Sequence, residues 1–240
     1  MKHKTAIIIG ASSGIGREIV RILASQGTTV AAVARRKPML DELVAEFPGK
    51  VLAFEHDVLN TDEVPDLFLE ITKQLGGLDL FVYNSGVMPE VESSEFDFKK
   101  DMDMVNVNMV GAIAWCNQAA NRFQHTKHGC LVGIGSVAGD RGRQLQPVYN
   151  ASKAFLHSYM ESMRNRLCRY GVIVSTIKPG PVDTDLAKHM KMKKMSARQA
   201  AEICVSKFHK NGEHYLAFFH RFAFYIIKRI PSPIFRKLKL

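Results

Sequence analysis

The chain has 240 residues, of which 46% are hydrophobic and 23% charged, a composition ordinary for a soluble protein with one sizeable core. Its net charge of +10 is uneven, because residues 214–240 contain six lysines and arginines and no acid. Four cysteines without paired spacing predict neither a disulfide framework nor a metal site, and no apolar run reaches the roughly 18 residues of a membrane span. We therefore expect a cytoplasmic protein.

The chain begins with a strand, a glycine-rich turn and a helix. Thr5–Ile9 is a continuous β-branched run, typical of a strand buried on both faces. The turn GASSGIG follows, with Gly10, Gly14 and Gly16, and then apolar residues at helical spacing. This order brings backbone N–H groups and a helix N-terminus against a pyrophosphate. The alternative is a tight turn that binds no ligand.

A second predicted strand, at 28–34, ends in Arg35. In dinucleotide folds an acid near this position binds the ribose 2′-hydroxyl of NAD, whereas an arginine suits the 2′-phosphate of NADP. Here the acid is absent, so NADP(H) is favoured over NAD(H). A solvated basic loop is the alternative.

Strands and helices alternate along the rest of the chain. Further strands are predicted at 51–54, 78–83, 130–134, 172–177 and 213–218, and helices at 39–47, 61–75, 98–123, 149–170 and 219–230. The pattern predicts a single-domain α/β fold of the Rossmann type, a doubly wound parallel sheet with helices on both faces. We assign this domain to residues 1–218 and a basic amphipathic tail to 219–240.

A serine, a tyrosine and a lysine mark the predicted catalytic segment. Ser136 follows the strand at 130–134, and Tyr149 and Lys153 open the next helix. Residues four apart lie on one face of a helix. Free tyrosine titrates near pH 10, but a nearby ammonium favours the phenolate and lowers the tyrosine pKa. The pair is therefore predicted to act as a general acid and base.

With these elements the sequence resembles the short-chain dehydrogenase/reductase family over nearly its whole length. The matching motifs are Gly10-x-x-x-Gly14-x-Gly16, Asp57-Val58, Asn84-Ser85-Gly86, Asn108, Ser136, Tyr149-x-x-x-Lys153 and Pro179-Gly180-x-Val182-x-Thr184. Two departures stand out. Ile9 stands where members of the family often have a threonine before the glycine loop. Tyr83 and Ser85 stand where the family's Asn-Asn-Ala-Gly motif has its first asparagine and its alanine. These departures concern the hydrogen bonds that tie the loops together.

The resemblance implies a role for each matching residue. Tyr149 would donate a proton to a carbonyl, Lys153 would lower its pKa, and Ser136 would hydrogen-bond the carbonyl oxygen. Asn108 would support a water that relays protons to Lys153. The implied cofactor-binding residues are Gly10, Ser12, Ser13, Gly14, Ile15, Gly16, Arg35, Asp57, Val58, Asn84, Ser85, Gly86, Tyr149, Lys153, Pro179, Gly180, Val182 and Thr184. Hydride transfer itself belongs to the cofactor.

The tail combines aromatic and aliphatic residues with a basic stripe, and no acid within 214–240 balances that charge. This composition favours an interfacial helix on anionic lipid. A helix buried in a subunit interface or against the sheet is the alternative, and we expect a homo-oligomer, a dimer or tetramer. Nucleic acid is not expected as a partner, because the apolar face is too broad for a helix that tracks phosphates.

Two arginines suggest a substrate class. Arg141 and Arg143 lie between Ser136 and Tyr149, where they are predicted to meet a phosphate-bearing substrate. This segment and the tail are similar to the reductase half of decaprenylphosphoryl-ribose epimerase, which acts on a lipid-linked keto sugar. We therefore predict an NADP-dependent ketone reductase for an amphipathic or lipid-linked substrate at the inner membrane surface. Two alternatives remain open, namely a soluble reductase whose tail serves oligomerisation, and a non-catalytic NADP-binding scaffold.

Overall fold

A computed structural model describes residues 3–188 and 191–238. Residues 1, 2, 189 and 190 of the predicted domain and residues 239 and 240 of the predicted tail lie outside this description. The strands are β1 Thr5–Ile9, β2 Thr29–Ala34, β3 Val51–Glu55, β4 Leu80–Tyr83, β5 Cys130–Ile134, β6 Ile173–Lys178, β7 Val182–Asp183, β8 Met195–Ser196 and β9 Gly212–Tyr215. The α-helices are α1 Gly14–Ser25, α2 Lys37–Glu46, α3 Val64–Leu75, α4 Phe98–Val105, α5 Gly111–Thr126, α6 Pro147–Leu167, α7 Ala197–Lys207, α8 Phe218–Arg229 and α9 Ser232–Phe235.

Within the described ranges, seven strands form one parallel sheet in the order β3-β2-β1-β4-β5-β6-β9. The strand order reverses between β1 and β4, which is the point where open α/β sheets bind ligands at their carboxyl ends. The glycine loop follows β1 and Asn84 follows β4, so both flank this point. The predicted doubly wound fold is confirmed.

Strand β1 shows why the sheet is buried on both faces. Ile7, Ile8 and Ile9 are all fully buried. Because successive side chains of a strand point to opposite faces, Ile7 and Ile9 pack in the layer of α3, α5 and α6. Ile8 packs in the layer of α1, α2 and α7. Helices therefore cover both faces of the sheet.

Several predicted bounds are shifted by a few residues, helix α7 at Ala197–Lys207 was not predicted, and two predicted elements differ in a way that affects the site or the tail. The helix predicted at 98–123 contains a π-helical turn at Asn106–Val110 and continues to Thr126. The last strand, predicted at 213–218, ends at Tyr215, because Phe218 already begins α8. No helix among residues 3–188 and 191–238 is both long and apolar enough to cross a membrane.

Candidate active site

The glycine loop approaches its neighbours so closely that side chains do not fit. Gly10 has a φ of +81°, and a Cβ there would lie 2.7 Å from the Ser85 backbone nitrogen. A Cβ on Gly16 would lie 2.2 Å from the Gly10 carbonyl oxygen. The Asn84 side-chain amide donates a hydrogen bond of 3.0 Å to that same oxygen. Asn84 thus ties the loop after β4 to the loop after β1, and it lines the cavity between them.

A cavity of about 680 Å³ opens beside this loop, within the size range of small-molecule sites. The predicted cofactor residues that line it are Gly10, Ser12, Ser13, Gly14, Ile15, Arg35, Val58, Asn84, Ser85, Gly86 and Thr184. Thr184 lies directly over the turn, since a Cβ on Gly14 would be 2.9 Å from its Cγ2. An extended ligand with a pyrophosphate fits this lining, because a glycine-rich turn at a helix N-terminus offers backbone N–H groups to phosphate oxygens.

The other predicted cofactor residues lie behind this lining. The Asp57 carboxylate is 3.6 Å from the guanidinium of Arg35 and forms an ion pair with it. Asp57 does not line the cavity. The Pro179 carbonyl oxygen accepts a hydrogen bond of 2.9 Å from the Val137 backbone N–H. Val182 is buried in the core. These residues support the loops that form the site.

Arg36 is a cavity residue that the sequence analysis missed. Its guanidinium donates hydrogen bonds of 2.9 Å to the Ser12 hydroxyl and 2.6 Å to the Ser13 hydroxyl, and it lies 3.8 Å from the Asp185 carboxylate. It lines the cavity together with Arg35. The adjacent arginines in the sequence were a signal, but spacing alone cannot tell which of two neighbouring side chains turns toward the glycine loop.

Lys153 and Asn108 converge on the backbone of the loop after β4. A Cβ on Gly86 would lie 3.5 Å from Lys153 Nζ and 3.3 Å from Asn108 Oδ1. The Asn108 side chain accepts a hydrogen bond of 2.8 Å from the Val87 N–H and donates one of 3.0 Å to the Val87 carbonyl oxygen. Its amide also lies 3.1 Å from the Ser152 hydroxyl. Asn108 is therefore rigidly held, and the water relay stays a prediction.

The π-helical turn has its own support from Tyr83. The Tyr83 hydroxyl donates a hydrogen bond of 2.6 Å to the Val107 carbonyl oxygen. A π-turn changes the direction in which the next side chains point, and such turns are frequent at functional sites. Tyr83, which departs from the family pattern, therefore stabilises the turn that carries Asn108.

Tyr149 is buried at the inner end of the site. It forms a small buried cluster with Met104 and Ala138, and Met88 and Leu186, which line the cavity, pack against that cluster. Burial raises the pKa of Tyr149, and the Ser136 hydroxyl and the positive charge of Arg143 partly offset this rise. The predicted lowering of the pKa by Lys153 is not found. The Lys153 Nζ is 5.7 Å from the centre of the tyrosine ring.

Lys153 is itself affected by burial. Its side chain lies in the interior, where its ammonium donates a hydrogen bond of 3.1 Å to the Ile134 carbonyl oxygen. Burial lowers the pKa of Lys153 to about 8. At neutral pH the lysine is therefore mostly charged while Tyr149 keeps its proton, which suits a proton donor backed by a second acid.

Of the two arginines predicted to meet a substrate phosphate, Arg141 instead binds the C-terminal end of helix α8. Its Nη1 donates hydrogen bonds of 2.5 Å and 2.6 Å to the carbonyl oxygens of Ile227 and Ile230, at the C-terminal end of α8. Its guanidinium stacks on Phe235 at 3.9 Å. The free carbonyls and negative dipole end of a helix attract a cation. Arg143 is half-buried beside Tyr149 and lies 3.3 Å from Asn150 Oδ1.

The tail differs in one respect from the predicted basic stripe. Lys228 is 2.9 Å from the Asp140 carboxylate, so an acid from outside the tail does balance part of its charge. On the side of α8 that faces away from the sheet, five large side chains are between 46% and 86% exposed. They are Phe218, Phe219, Phe222, Tyr225 and Ile226.

Comparison with known proteins identifies this arrangement. The sequence model of one family, described as short chain dehydrogenase, matches residues 4–195. The chain belongs to the short-chain dehydrogenase family. It is thus an oxidoreductase that acts on carbonyl and alcohol groups.

Relatives of this dehydrogenase include proteins with and without an assigned activity. An uncharacterized oxidoreductase of Myxococcus xanthus is 36% identical over 189 residues, which cover 78% of this chain and 75% of that protein. Carbonyl reductase family member 4 of Xenopus tropicalis is 30% identical over 183 residues, which cover 76% of this chain and 77% of that protein. A serine dehydrogenase solved in its closed form with NADP⁺ superposes with a TM-score of 0.82 at 22% identity, covering 88% of this chain and 93% of that chain. At this low sequence identity, the similarity to the serine dehydrogenase is evidence for the fold alone.

In this dehydrogenase the geometry supports proton transfer to a carbonyl oxygen. Tyr149 and Lys153 come from α6, Ser136 caps the turn after β5, and none of the three lines the 680 Å³ cavity. Two hydroxyls beside one carbonyl oxygen stabilise the negative charge that develops there. The predicted proton donor thus lies close to a cavity of the size that small-molecule sites have.

Proposed function

We propose that this protein is a cytoplasmic, NADPH-dependent carbonyl reductase. The observation that carries the proposal is the position of Tyr149, which is within hydrogen-bonding reach of Ser136 and belongs to a small buried cluster against which Met88 and Leu186 of the cavity lining pack. A substrate carbonyl between the cavity and Tyr149 would have its oxygen next to two hydroxyls and its carbon toward the cavity. This is the geometry of reduction by hydride addition to carbon and protonation of oxygen.

The cavity residues would hold a nicotinamide dinucleotide. The glycine loop and Thr184 would surround the pyrophosphate, and Asn84 would keep the loops of β1 and β4 together. When bound, the reduced cofactor supplies the hydride, that is, one proton and an electron pair, to the carbonyl carbon. The carbonyl π electrons move to oxygen, which takes the proton of the Tyr149 hydroxyl. The resulting phenolate is then protonated again, with the Lys153 ammonium as the nearest acid.

Cofactor preference follows from the end of β2, where Arg35 and Arg36 both line the cavity. A 2′-phosphate there would meet two guanidiniums and the hydroxyls of Ser12 and Ser13, and charge-assisted hydrogen bonds to phosphate are strong. The NADP⁺ bound to the structurally similar serine dehydrogenase agrees with this preference.

Cofactor titrations test this preference. We expect wild-type protein to bind NADPH at least tenfold more tightly than NADH. Arg36→Ala is expected to weaken NADPH binding about tenfold and to leave NADH binding within about twofold, since a lost charge-assisted hydrogen bond costs roughly 1.5–3 kcal/mol. Lys37→Ala, an adjacent exposed cation, is the matched control. Equal affinities of the wild type for both cofactors would contradict the NADP preference.

Catalysis is tested by Tyr149→Phe. The variant is expected to bind NADPH normally and to lose at least a thousandfold in kcat for carbonyl reduction, because the phenyl ring keeps the packing and removes the proton donor. A wild-type protein that reduces nothing in a broad panel of aldehydes and ketones would instead favour the non-catalytic NADP-binding scaffold.

We further propose that the substrate is amphipathic or lipid-linked and is met at the inner membrane surface. The support lies in the exposed side of α8, where aromatic side chains alternate with Arg221 and Arg229. Interfacial helices combine such a face with attraction to anionic lipid. A phosphate contact by Arg143 and the similarity to the reductase half of decaprenylphosphoryl-ribose epimerase remain proposals of the same kind.

Vesicle flotation tests the membrane surface. We expect the full-length protein to float with phosphatidylserine-containing vesicles and not with pure phosphatidylcholine, and Phe218→Ser/Phe222→Ser to abolish flotation. Phe96→Ser is the control, because Phe96 is 94% exposed but far from the tail in sequence. Failure to float, together with a dimeric or tetrameric mass that falls in the tail variant, would favour the soluble enzyme whose tail serves oligomerisation.

A further inference from the structure

A buried carboxylate joins the catalytic turn to the tail. The Asp140 side chain is fully buried, and it lies 2.7 Å from the Lys178 ammonium at the end of β6. Its second oxygen accepts a hydrogen bond of 2.7 Å from the Tyr215 hydroxyl at the end of β9. The Lys228 ammonium of α8 lies 2.9 Å from the first oxygen. A buried charge with this many partners is strongly fixed in place.

Asp140 is only four residues from Ser136. The two are the ends of a tight 3-10 turn, Val137–Asp140, that Ser136 caps. Within it the Ser136 hydroxyl accepts a hydrogen bond of 3.1 Å from the Ala138 N–H. The Val137 N–H donates to the Pro179 carbonyl oxygen. Because one turn spans the short distance between them, movement of Asp140 is transmitted to the Ser136 hydroxyl.

Helix α8 contacts the same region at two further points. Arg141, the residue after Asp140, donates both of its hydrogen bonds to carbonyl oxygens at the end of α8. At the other end of the helix, His220 lies over Gly180, where a Cβ would be 2.2 Å from the imidazole. The helix therefore touches the loop after β5 and the loop after β6, both of which border the catalytic site.

We propose that Asp140 is a positioning residue, through which helix α8 and its Lys228 hold the Ser136 turn in the geometry needed for carbonyl reduction. This inference rests on the proposed function for its kinetic consequence, but not for its structural one. The side of α8 that carries Lys228 thereby acts on the active site, while the opposite side of the helix is left exposed.

Single substitutions in the full-length protein test the coupling. Lys228→Met is expected to lower kcat about five- to tenfold on a neutral carbonyl substrate and to leave NADPH binding within twofold, since small displacements of a catalytic group are costly. Asp140 keeps Lys178 and Tyr215 in this variant, so the fold is retained. Lys228→Arg should restore at least half of kcat. Arg229→Met, the neighbouring cation on the exposed side, should stay within twofold of wild type.

Hydrogen exchange gives a second readout that needs no substrate. The amides of residues 137–139 are hydrogen-bonded within the turn or to Pro179, so we expect their exchange to rise at least fivefold in Lys228→Met and in Arg141→Met, and not in Arg229→Met. If the wild type reduces no carbonyl, the proposed function fails and the exchange result alone decides the coupling.

One result would overturn the proposal, namely a Lys228→Met protein of lowered melting temperature whose kcat and exchange at 137–139 equal those of wild type, because the contact would then serve stability alone.

Discussion

The buried position of Lys153 predicts how activity depends on pH. Burial lowers its pKa to about 8, so the charged fraction falls from about nine-tenths at pH 7 to about one-tenth at pH 9. A lysine exposed to water would still be charged over that whole range. Since the ammonium returns the proton to Tyr149, kcat/KM for reduction should be level below about pH 7 and fall roughly tenfold per unit above pH 8.

The same burial predicts an effect on stability with a definite sign. A folded-state pKa of about 8, below the ordinary value of 10.5 for lysine, means that the folded protein bears a free-energy cost while Lys153 is charged. That cost, about 3 kcal/mol, is complete below pH 8 and disappears as pH rises toward the unfolded pKa. Lys153→Met should therefore be more stable than wild type at pH 7, by about 2 kcal/mol once the lost hydrogen bond of about 1 kcal/mol is subtracted.

The assay is a pH profile of kcat/KM for the cofactor from pH 6 to 10, joined to urea unfolding of wild type and Lys153→Met at pH 7 and pH 9.5. The stability advantage of the variant should shrink at pH 9.5. A profile that stays level to pH 9.5, or a variant less stable than wild type at pH 7, would show that Lys153 keeps an ordinary pKa and would refute the reasoning.

Two substitutions test the packing around the site. Gly16→Ala places a Cβ 2.2 Å from the Gly10 carbonyl oxygen, so overpacking of about 3 kcal/mol outweighs a gain of about 1 kcal/mol in helix propensity, and the melting temperature should fall. Gly142→Ala, which meets nothing within 4 Å, should leave it unchanged. Tyr83→Phe removes the hydrogen bond to Val107 and should cost about 1 kcal/mol in urea unfolding and lower kcat through Asn108, whereas the exposed Tyr225→Phe should do neither.

The fold and most of the cavity lining could be predicted because their signals are local. A β-branched run followed by glycines and a helix is compatible with few folds other than a dinucleotide-binding one. In such a fold the carboxyl ends of the parallel strands meet at one edge of the sheet. Gly10, Asn84 and Thr184 accordingly lie where their strands end. Strands that are apolar on both faces then predict a sheet covered by helices on both sides.

Other features could not be predicted, because they depend on contacts between distant segments. The π-turn at Asn106–Val110 adds one residue to a helical turn without changing the apolar pattern. The direction of Arg36 depends on where the serines of the glycine loop lie. Arg141 was assigned to the substrate because it stands between Ser136 and Tyr149, whereas its partners are about 86 to 89 residues further along the chain.

The partners of Asp140 also bear on how such enzymes diverge. The match to the family ends at residue 195, yet Tyr215 and Lys228 lie beyond it and contact the turn that carries Ser136. If this link acts as proposed, a change in the C-terminal segment would alter the reaction centre without replacing any catalytic residue. Two enzymes with the same catalytic residues need not share a substrate, and the place to look for the difference is the last quarter of the chain.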